Sequence, residues 1–256
     1  MTQEDVDILH KYGCITEHSE AFFSTPRIYF SPPKKLNDPF ECHPWFTFNG
    51  NRDEVIDSLT RLFQKTQRLT AHEAKARAVG SYLEMHHKNP QNLEAFRNDI
   101  ISTLSNKIGL CCLSQVPDSI LMWSHYGLDH TGYCVEFEAT RHTPVFGEAL
   151  PVLYSADHPV VDFYQTPKDD QVNLIFLTKY SGWVYEQEWR IIDHENGPGL
   201  REYPAELMKS VIFGLRMSNQ AKQQIREWVS RRRCPIRFFQ AVQHKQRFVI
   251  ELEQIE

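Results

Sequence analysis

The stretch of sequence with the clearest chemical potential places two carboxylates and a guanidinium at alternate positions, Glu186, Glu188 and Arg190. In an extended strand, side chains two residues apart point to the same face, so these three groups would converge. Two neighbouring carboxylates repel, which raises the pKa of one and suits it to acid–base catalysis or to stabilising a developing cation. Arg190 can equally neutralise both in a structural ion network. Glu136 and Glu138 repeat the spacing, so the pattern alone leaves both interpretations open.

Three further segments place polar and aromatic side chains beside the ends of predicted strands, where ligands are often bound. They are residues 9–12, residues 29–31 together with 37–41, and residues 122–126 together with His130. The candidate binding residues of all four segments are Lys11, Tyr12, Tyr29, Ser31, Asn37, Asp38, Phe40, Trp123, His125, Tyr126 and Arg190, with His10 as a further catalytic candidate beside Glu186 and Glu188. Half-buried aromatic residues are also common in such loops.

Several familiar kinds of site are missing from the sequence. The six cysteines include no Cys-x-x-Cys pair, and His125 and His130 are not spaced as two ligands on one helical face. Ser124 lacks the glycines of a nucleophile elbow, and there is no glycine-rich phosphate loop. The sequence therefore predicts no metal site, no serine-hydrolase triad, and neither a Rossmann nor a P-loop nucleotide site.

Composition favours one folded domain spanning residues 1–256. Hydrophobic residues make up 41% of the 256, and 12% are aromatic, which is enough for a large core. The acidic start does not resemble a secretory leader, and no apolar run approaches the roughly 20 residues of a membrane span. We therefore expect a cytoplasmic protein with reduced thiols and no membrane partner.

The charge is unevenly distributed. Residues 208–256 carry ten basic and four acidic side chains, whereas the rest of the chain carries 18 basic and 29 acidic ones. A basic segment attracts phosphates or acidic partners, although it is often just a solvated surface.

Hydrophobic patterning predicts strands that are separated by irregular helical excursions. Strands are expected at residues 27–31, 108–113, 132–138 and 189–192, and a basic helix and terminal hairpin within about 208–256. Residues 169–180 resemble a helix. An insert of two or three helices is expected at about 51–106, with breaks near Gly80 and at residues 89–90. This arrangement indicates an α+β fold rather than a regular βαβ series.

The chain resembles a bacterial family catalogued as domain of unknown function 2971 at four segments that follow one another in a consistent order. These are residues 9–12, residues 29–31 with 37–41, residues 122–126 with His130, and residues 183–190. The resemblance runs from about residue 9 to residue 214. Two positions depart from it, because Leu36 stands where an aromatic residue is expected and Gly127 where alanine is expected.

The layout is also remotely similar to that of ADP-ribosyltransferases, whose split, mainly antiparallel β-sheet core grips NAD as a co-substrate. This resemblance implies that His10 contacts the nicotinamide ribose and that Glu188 stabilises the positive charge that develops when the nicotinamide–ribose bond breaks. Glu186 would then accept a proton from the acceptor.

Binding roles follow from the same resemblance. Tyr29 or Ser31 would pack on the nicotinamide, and Arg190 or Lys11 would hold the pyrophosphate.

The leading expectation is therefore an NAD-dependent, ADP-ribosyltransferase-like enzyme that transfers ADP-ribose to a nucleic-acid or protein acceptor, as a bacterial toxin or phage-defence effector. One alternative is a non-catalytic module that holds a nucleotide or phosphate ligand between residues 37–40 and the His125 region. A second is a nucleic-acid-binding or processing protein that uses its C-terminal cations. A third is a polar network that only fixes the core.

Overall fold

Strands and helices alternate along the chain, with one long helical stretch in the first half. The computed structural model describes residues 6–47, 49–86 and 90–256. The strands are β1 (Ile8–Gly13), β2 (Arg27–Phe30), β3 (Trp45–Thr47), β4 (Gly109–Ser114), β5 (Tyr133–Glu138), β6 (Leu150–Pro151), β7 (Leu153–Ser155), β8 (Val160–Asp162), β9 (Thr178–Tyr180), β10 (Glu188–Asp193), β11 (Gly199–Glu202), β12 (Met208–Phe213), β13 (Arg237–Gln243) and β14 (Ile250–Ile255). The helices are α1 (Ser19–Ser24), α2 (Arg52–Gln67), α3 (Ala71–His86), α4 (Pro90–Lys107), α5 (Ile120–His125), α6 (Lys168–Leu177) and α7 (Asn219–Ser230).

Eight of the strands in the described ranges form one sheet, in the order β14-β13-β12-β5-β1-β4-β10-β6. Its neighbours are antiparallel except β12 and β13, which run parallel and are connected through α7. The expected terminal hairpin is β13–β14. The predicted α+β class with a mainly antiparallel sheet is therefore confirmed.

The sheet is weakly joined at its centre. β1 pairs with β5 along six residues, whereas the described residues show one register pair between β1 and β4, His10 opposite Ser114. Beyond that pair the two strands do not form a ladder, so the sheet consists of a five-strand part and a three-strand part. Instead of two separate sheets, the core is one sheet that is almost split between β1 and β4.

Short strand pairs position the loops around this gap. β2 pairs with β11, and the residue after β2, Ser31, forms an isolated bridge with Leu110 of β4. Both backbone hydrogen bonds of that bridge are 2.8 Å long. The chain after Ser31 is therefore held beside β4, on the side where β1 departs from it.

The largest core cluster packs both parts of the sheet against α1 and α7. Phe137 and Val211 from the sheet join Phe23 of α1 and Ile225 of α7 in this cluster, and all four are fully buried. Burying apolar side chains from several non-adjacent elements stabilises the fold by removing their surface from water. This packing holds β1 and β4 in place on either side of the gap between them.

The helical insert consists of α2, α3 and α4, as predicted. A capping box formed by Asn51 and Glu54 starts α2, because it satisfies amide groups that the first turn leaves unpaired. The expected break near Gly80 is wrong, since α3 continues through that residue. The chain instead leaves α2 at Arg68, which is left-handed. The other expected break falls partly on Asn89, outside the described residues. None of the helices in the described ranges has the length and apolar character needed to span a bilayer.

Residues 169–180 differ from the single helix that was expected. The helix α6 ends at Leu177, and the next three residues form β9, which pairs in parallel with β7. The change of geometry directs Lys179 inward, where it is 4% exposed.

Candidate functional site

A cavity of about 270 Å³ lies where the sheet is almost split. β1 lines it with His10, Lys11 and Tyr12, and β4 lines it with Leu110 and residues 112–114. The other lining residues are Ser31, Lys35, Leu36, Asn37, Glu41, Met122, Tyr126, Lys179, Glu186, Glu188 and Arg190. Lys35 and Asn37 are exposed, so the cavity is open to solvent along the segment that follows Ser31.

His10, on the β1 wall of the cavity, is a buried side chain with an unpaired polar atom. It is 6% exposed, its Nε2 lies 3.9 Å from Glu136 Oε2, and its Nδ1 is buried without a hydrogen-bond partner among the described residues. Buried polar atoms are normally hydrogen-bonded, so an unpaired nitrogen on a residue that lines a cavity is a candidate ligand contact. Ser114, which faces His10 on β4, also faces Glu188 on β10. His10 and Glu188 therefore share one row across the sheet.

Opposite His10, five charged side chains form a buried ion cluster of Glu41, Lys179, Glu186, Glu188 and Arg190. Arg190 donates to Glu188 Oε1 at 2.7 Å and Oε2 at 2.8 Å, and also to Glu41. Lys179 contacts Glu188 Oε2 at 2.9 Å, Glu41 Oε1 at 3.1 Å and Glu186. The Glu41 contact is an ion pair without hydrogen-bond alignment. Within the cluster, three carboxylates face two cations, which leaves one excess negative charge.

The two glutamates of the sequence motif have different protonation behaviour. Burial opposes ionisation of Glu188, but Arg190 and Lys179 outweigh burial and lower the pKa of Glu188 to about 2. For Glu186, burial dominates and raises the pKa, although Lys179 and Tyr126 act in the opposite direction. Glu188 is therefore the permanent anion. Glu186 is the carboxylate that takes up a proton more readily, and one proton would remove the excess charge of the cluster.

Glu186 and Glu188 lie close together, but they do not lie on the one continuous strand that the sequence predicts. Glu186 ends a 3₁₀ helix, Ser181–Glu186, and Gln187 follows in the left-handed region at φ 41° before β10 begins at Glu188. Ser114 Oγ donates to the Glu186 carbonyl at 2.6 Å, and Tyr154 accepts from the Glu188 amide at 2.9 Å. The turn is thus fixed from both sides, and only Glu188 and Arg190 show the strand spacing.

Tyr126 connects the helix α5 to the cluster. Its hydroxyl donates to Glu186 Oε1 at 2.6 Å and receives the side-chain amide of Asn37 at 3.2 Å. Burial raises the pKa of Tyr126, so the hydroxyl keeps its proton and remains a donor.

Replacing Tyr126 with phenylalanine is expected to lower the free energy of unfolding by about 1–2 kcal/mol, because Glu186 loses a hydrogen bond in a partly desolvated setting. Urea unfolding measures the change. Tyr29→Phe is the matched control, since the described residues give the Tyr29 hydroxyl no hydrogen bond and that side chain is 44% exposed. Equal stabilities for the two variants would contradict the role assigned to Tyr126.

Several of the sequence-predicted residues lie outside this cavity. Trp123 is fully buried beneath Tyr12 and donates to the Pro117 carbonyl, so it belongs to the core. Tyr29 is exposed on β2, and His125 contacts the Tyr185 hydroxyl at 2.8 Å.

Asp38 and Phe40 line a second cavity instead. The remaining nine predicted residues, His10, Lys11, Tyr12, Ser31, Asn37, Tyr126, Glu186, Glu188 and Arg190, are brought together around the first.

Sequence reasoning missed Lys179 and Glu41 as parts of the site. Glu41 follows the turn at residues 37–40, where only turn residues were selected, and Lys179 falls within the stretch predicted as helix. The sequence Thr178-Lys179-Tyr180 carries a signal for Lys179, because a single cation stands between two strand-forming residues directly after an apolar run. This pattern indicates a short strand with a buried cation.

The basic C-terminal segment uses many of its charges internally. Among the described residues, Arg226 lies over the Phe238 ring, Arg231 pairs with Glu20, Arg232 donates to the carbonyls of Thr25 and Ala205, and Arg237 pairs with Glu136. Three further cations of this segment, Arg233, Lys245 and Arg247, make no ion pair with the residues that the structure describes, so their charges remain available to a nucleic acid. These contacts reduce the charge that this surface offers to phosphates.

No group of three or more histidine, cysteine, aspartate or glutamate side chains within the described ranges is arranged to hold a metal ion.

Comparison with known proteins gives one match. Residues 122–191 match the model of a family described as "Protein of unknown function (DUF2971)", and this segment includes Tyr126, Lys179 and the Glu186–Arg190 part of the ion cluster. The matched segment is well under half of the chain, so a similarity to that family is shown for this segment. The chain matches no curated protein and no solved structure.

Proposed function

We propose that the chain binds NAD at the cavity between β1 and β4 and breaks its nicotinamide–ribose bond, transferring ADP-ribose to an acceptor. The observation that carries the proposal is the convergence of His10, a buried imidazole with one unpaired nitrogen, and an ionised carboxylate, Glu188, on one open cavity at an almost split sheet. A fixed anion beside the reacting carbon favours the positively charged transition state over the neutral ribose.

The chemistry assigned to the chain's own residues is limited to charge and proton transfer. When the glycosidic bond breaks, its electron pair leaves with the nicotinamide, and Glu188 stabilises the ribosyl cation that remains. An acceptor hydroxyl or amine then forms the new bond to ribose and gives its proton to Glu186, whose raised pKa suits it to a general base. His10 Nδ1 supplies a hydrogen-bonding atom for the ribose.

The size of the cavity limits how much of the dinucleotide it can enclose. Ligand pockets are typically about 300–1,000 Å³, so about 270 Å³ suits the nicotinamide riboside end only. The pyrophosphate would lie toward Lys35, which is exposed and lines the cavity, and toward Lys11. Arg190 is 1% exposed and is bound to Glu41, Glu188 and the Phe176 carbonyl, so the proposal assigns the pyrophosphate to the two lysines.

The test is incubation of the full chain with NAD, alone and with bacterial lysate, while nicotinamide release and incorporation of labelled ADP-ribose are measured. We expect nicotinamide to appear in proportion to enzyme, with label on a macromolecule when lysate is added. Heat-denatured protein is the control. If no nicotinamide is released under any of these conditions, the proposal is wrong.

A second candidate is a nucleotide-binding module without turnover, and the closed ion cluster favours it. Glu188 already contacts both Arg190 and Lys179, and a carboxylate neutralised in this way stabilises a further cation less strongly. A saturable thermal shift with NAD or a mononucleotide in the absence of nicotinamide release would identify this function, because a ligand that binds the folded state raises its stability with concentration.

A further inference from the structure

A second cavity, of about 290 Å³, is separated from the first by Glu41 and Lys179, which line both. Its other walls come from residues 38, 40, 42 and 43, from the end of β7 and the loop that follows it (residues 155–159), and from the end of α6 with β9. The proposed NAD chemistry uses none of these other side chains, and the inference drawn from them stands independently of the proposed function.

Two aromatic rings on this cavity are exposed. Phe40 is 69% exposed and Tyr180 is 58% exposed, although both types of side chain gain free energy from burial. The Phe40 ring centroid lies 6.4 Å from that of His158, at an interplanar angle of 39°. Flat rings that remain accessible in a concave site are suited to stacking on a planar ligand.

Polar groups without protein partners surround the rings. Within the described part of the chain, the side chains of His43, Asp157 and His158 and the Tyr180 hydroxyl make no hydrogen bond or ion pair. Burial and the neighbouring His158 lower the pKa of His43, so its imidazole is neutral near pH 7 and offers one donor and one acceptor. These groups could bond to the edge of a heterocycle stacked on the rings.

The charges around the cavity disfavour a phosphate. Asp38, Glu41 and Asp157 line it, and the lysine on its wall, Lys179, already contacts three glutamates. An anion placed here would be repelled by Asp157, and it would compete with three glutamates for Lys179.

From the aromatic walls, the unpartnered polar groups and the acidic lining, we infer that this second cavity is a binding site for an uncharged nucleobase carried by a nucleoside. Phe40 and Tyr180 stack on the base, and His43, Asp157 and His158 bond to its edge. A volume near the lower end of the range for ligand pockets suits a ligand of this size.

Isothermal titration of the full chain with adenosine, guanosine, cytidine and uridine tests the inference, with the 5′-monophosphate of any nucleoside that binds. We expect at least one nucleoside to bind with 1:1 stoichiometry, and its monophosphate to bind no more tightly. Phe40→Ala and Tyr180→Ala should each weaken binding about tenfold, in keeping with the contribution of a base–aromatic stack. Phe248→Ala is the matched control, because Phe248 is 94% exposed and lies outside both cavities.

Three results would overturn the inference. These are the absence of binding by all four nucleosides, unchanged affinity in both Phe40→Ala and Tyr180→Ala, and a monophosphate that binds at least tenfold more tightly than its nucleoside. Lys35→Ala, which changes an exposed side chain that lines the first cavity and not the second, should leave nucleoside affinity unchanged, and a loss of binding in that variant would assign the ligand to the first cavity instead. None of these results depends on turnover of NAD.

Discussion

Replacing Arg190 with methionine is expected to lower the free energy of unfolding by about 3–5 kcal/mol, the usual effect of removing one partner from a buried ion pair. The substitution keeps a long apolar side chain but leaves Glu41 and Glu188 facing Lys179 alone, with the Phe176 carbonyl unpaired. These carboxylates have only 2% and 6% of their side-chain surface exposed, so water replaces the lost partner poorly. Urea unfolding at neutral pH measures the change.

Arg27→Met is the matched control for this prediction. Arg27 pairs with Glu202 at 2.9 Å, but the two side chains are 51% and 74% exposed, and such surface pairs contribute about 0–1 kcal/mol. If both methionine variants lose the same small amount, the buried cluster does not stabilise the fold in the way described here.

The variant Glu188→Gln is expected to reduce nicotinamide release from NAD by about a hundredfold or more. The amide keeps the shape of the side chain but removes the negative charge that would stabilise the ribosyl cation, and loss of one preorganised electrostatic contact commonly has an effect of this size. The same substitution weakens the contacts to Arg190 and Lys179, so the rate must be measured at a temperature where circular dichroism shows the variant to be folded.

Two companions separate loss of chemistry from loss of stability. Glu138→Gln makes the same change on β5, where Glu138 pairs with Lys209 and each side chain is 35% exposed, and it should leave the rate unchanged. Glu188→Asp keeps the charge, so it should retain more activity than Glu188→Gln at equal stability. A folded Glu188→Gln protein with wild-type turnover would remove Glu188 from the chemistry.

Local patterns in the sequence are sufficient to predict those features of the fold that depend on residues close together in the chain. The spacing of Glu188 and Arg190 survives in β10 because β-strands repeat every two residues. The antiparallel sheet, the helical insert and the final hairpin were predicted for the same reason, since each depends on a periodicity or on a short connection.

The parts that were missed depend on contacts between distant segments. Lys179 reaches the cluster because residues 178–180 leave α6 and pair with β7, which a helical pattern over 169–180 could not indicate. Trp123 was selected as a binding residue, but an aromatic residue on one turn of helix can face either a ligand or the core. Packing against Tyr12 determines that it faces the core. The change of direction at Gln187, which brings Glu186 back to the cluster, also has no clear sequence signal.

The single register pair between β1 and β4 has a mechanical consequence. A continuous ladder resists separation with many backbone hydrogen bonds, whereas the strand pairing across this seam, among the described residues, is limited to His10 and Ser114. Side-chain contacts hold the two parts together across the seam, such as the hydrogen bond from Lys11 Nζ to the Cys112 carbonyl at 3.1 Å and the core cluster that both parts share. A ligand that enters between β1 and β4 would therefore have to displace side-chain contacts rather than break a backbone ladder.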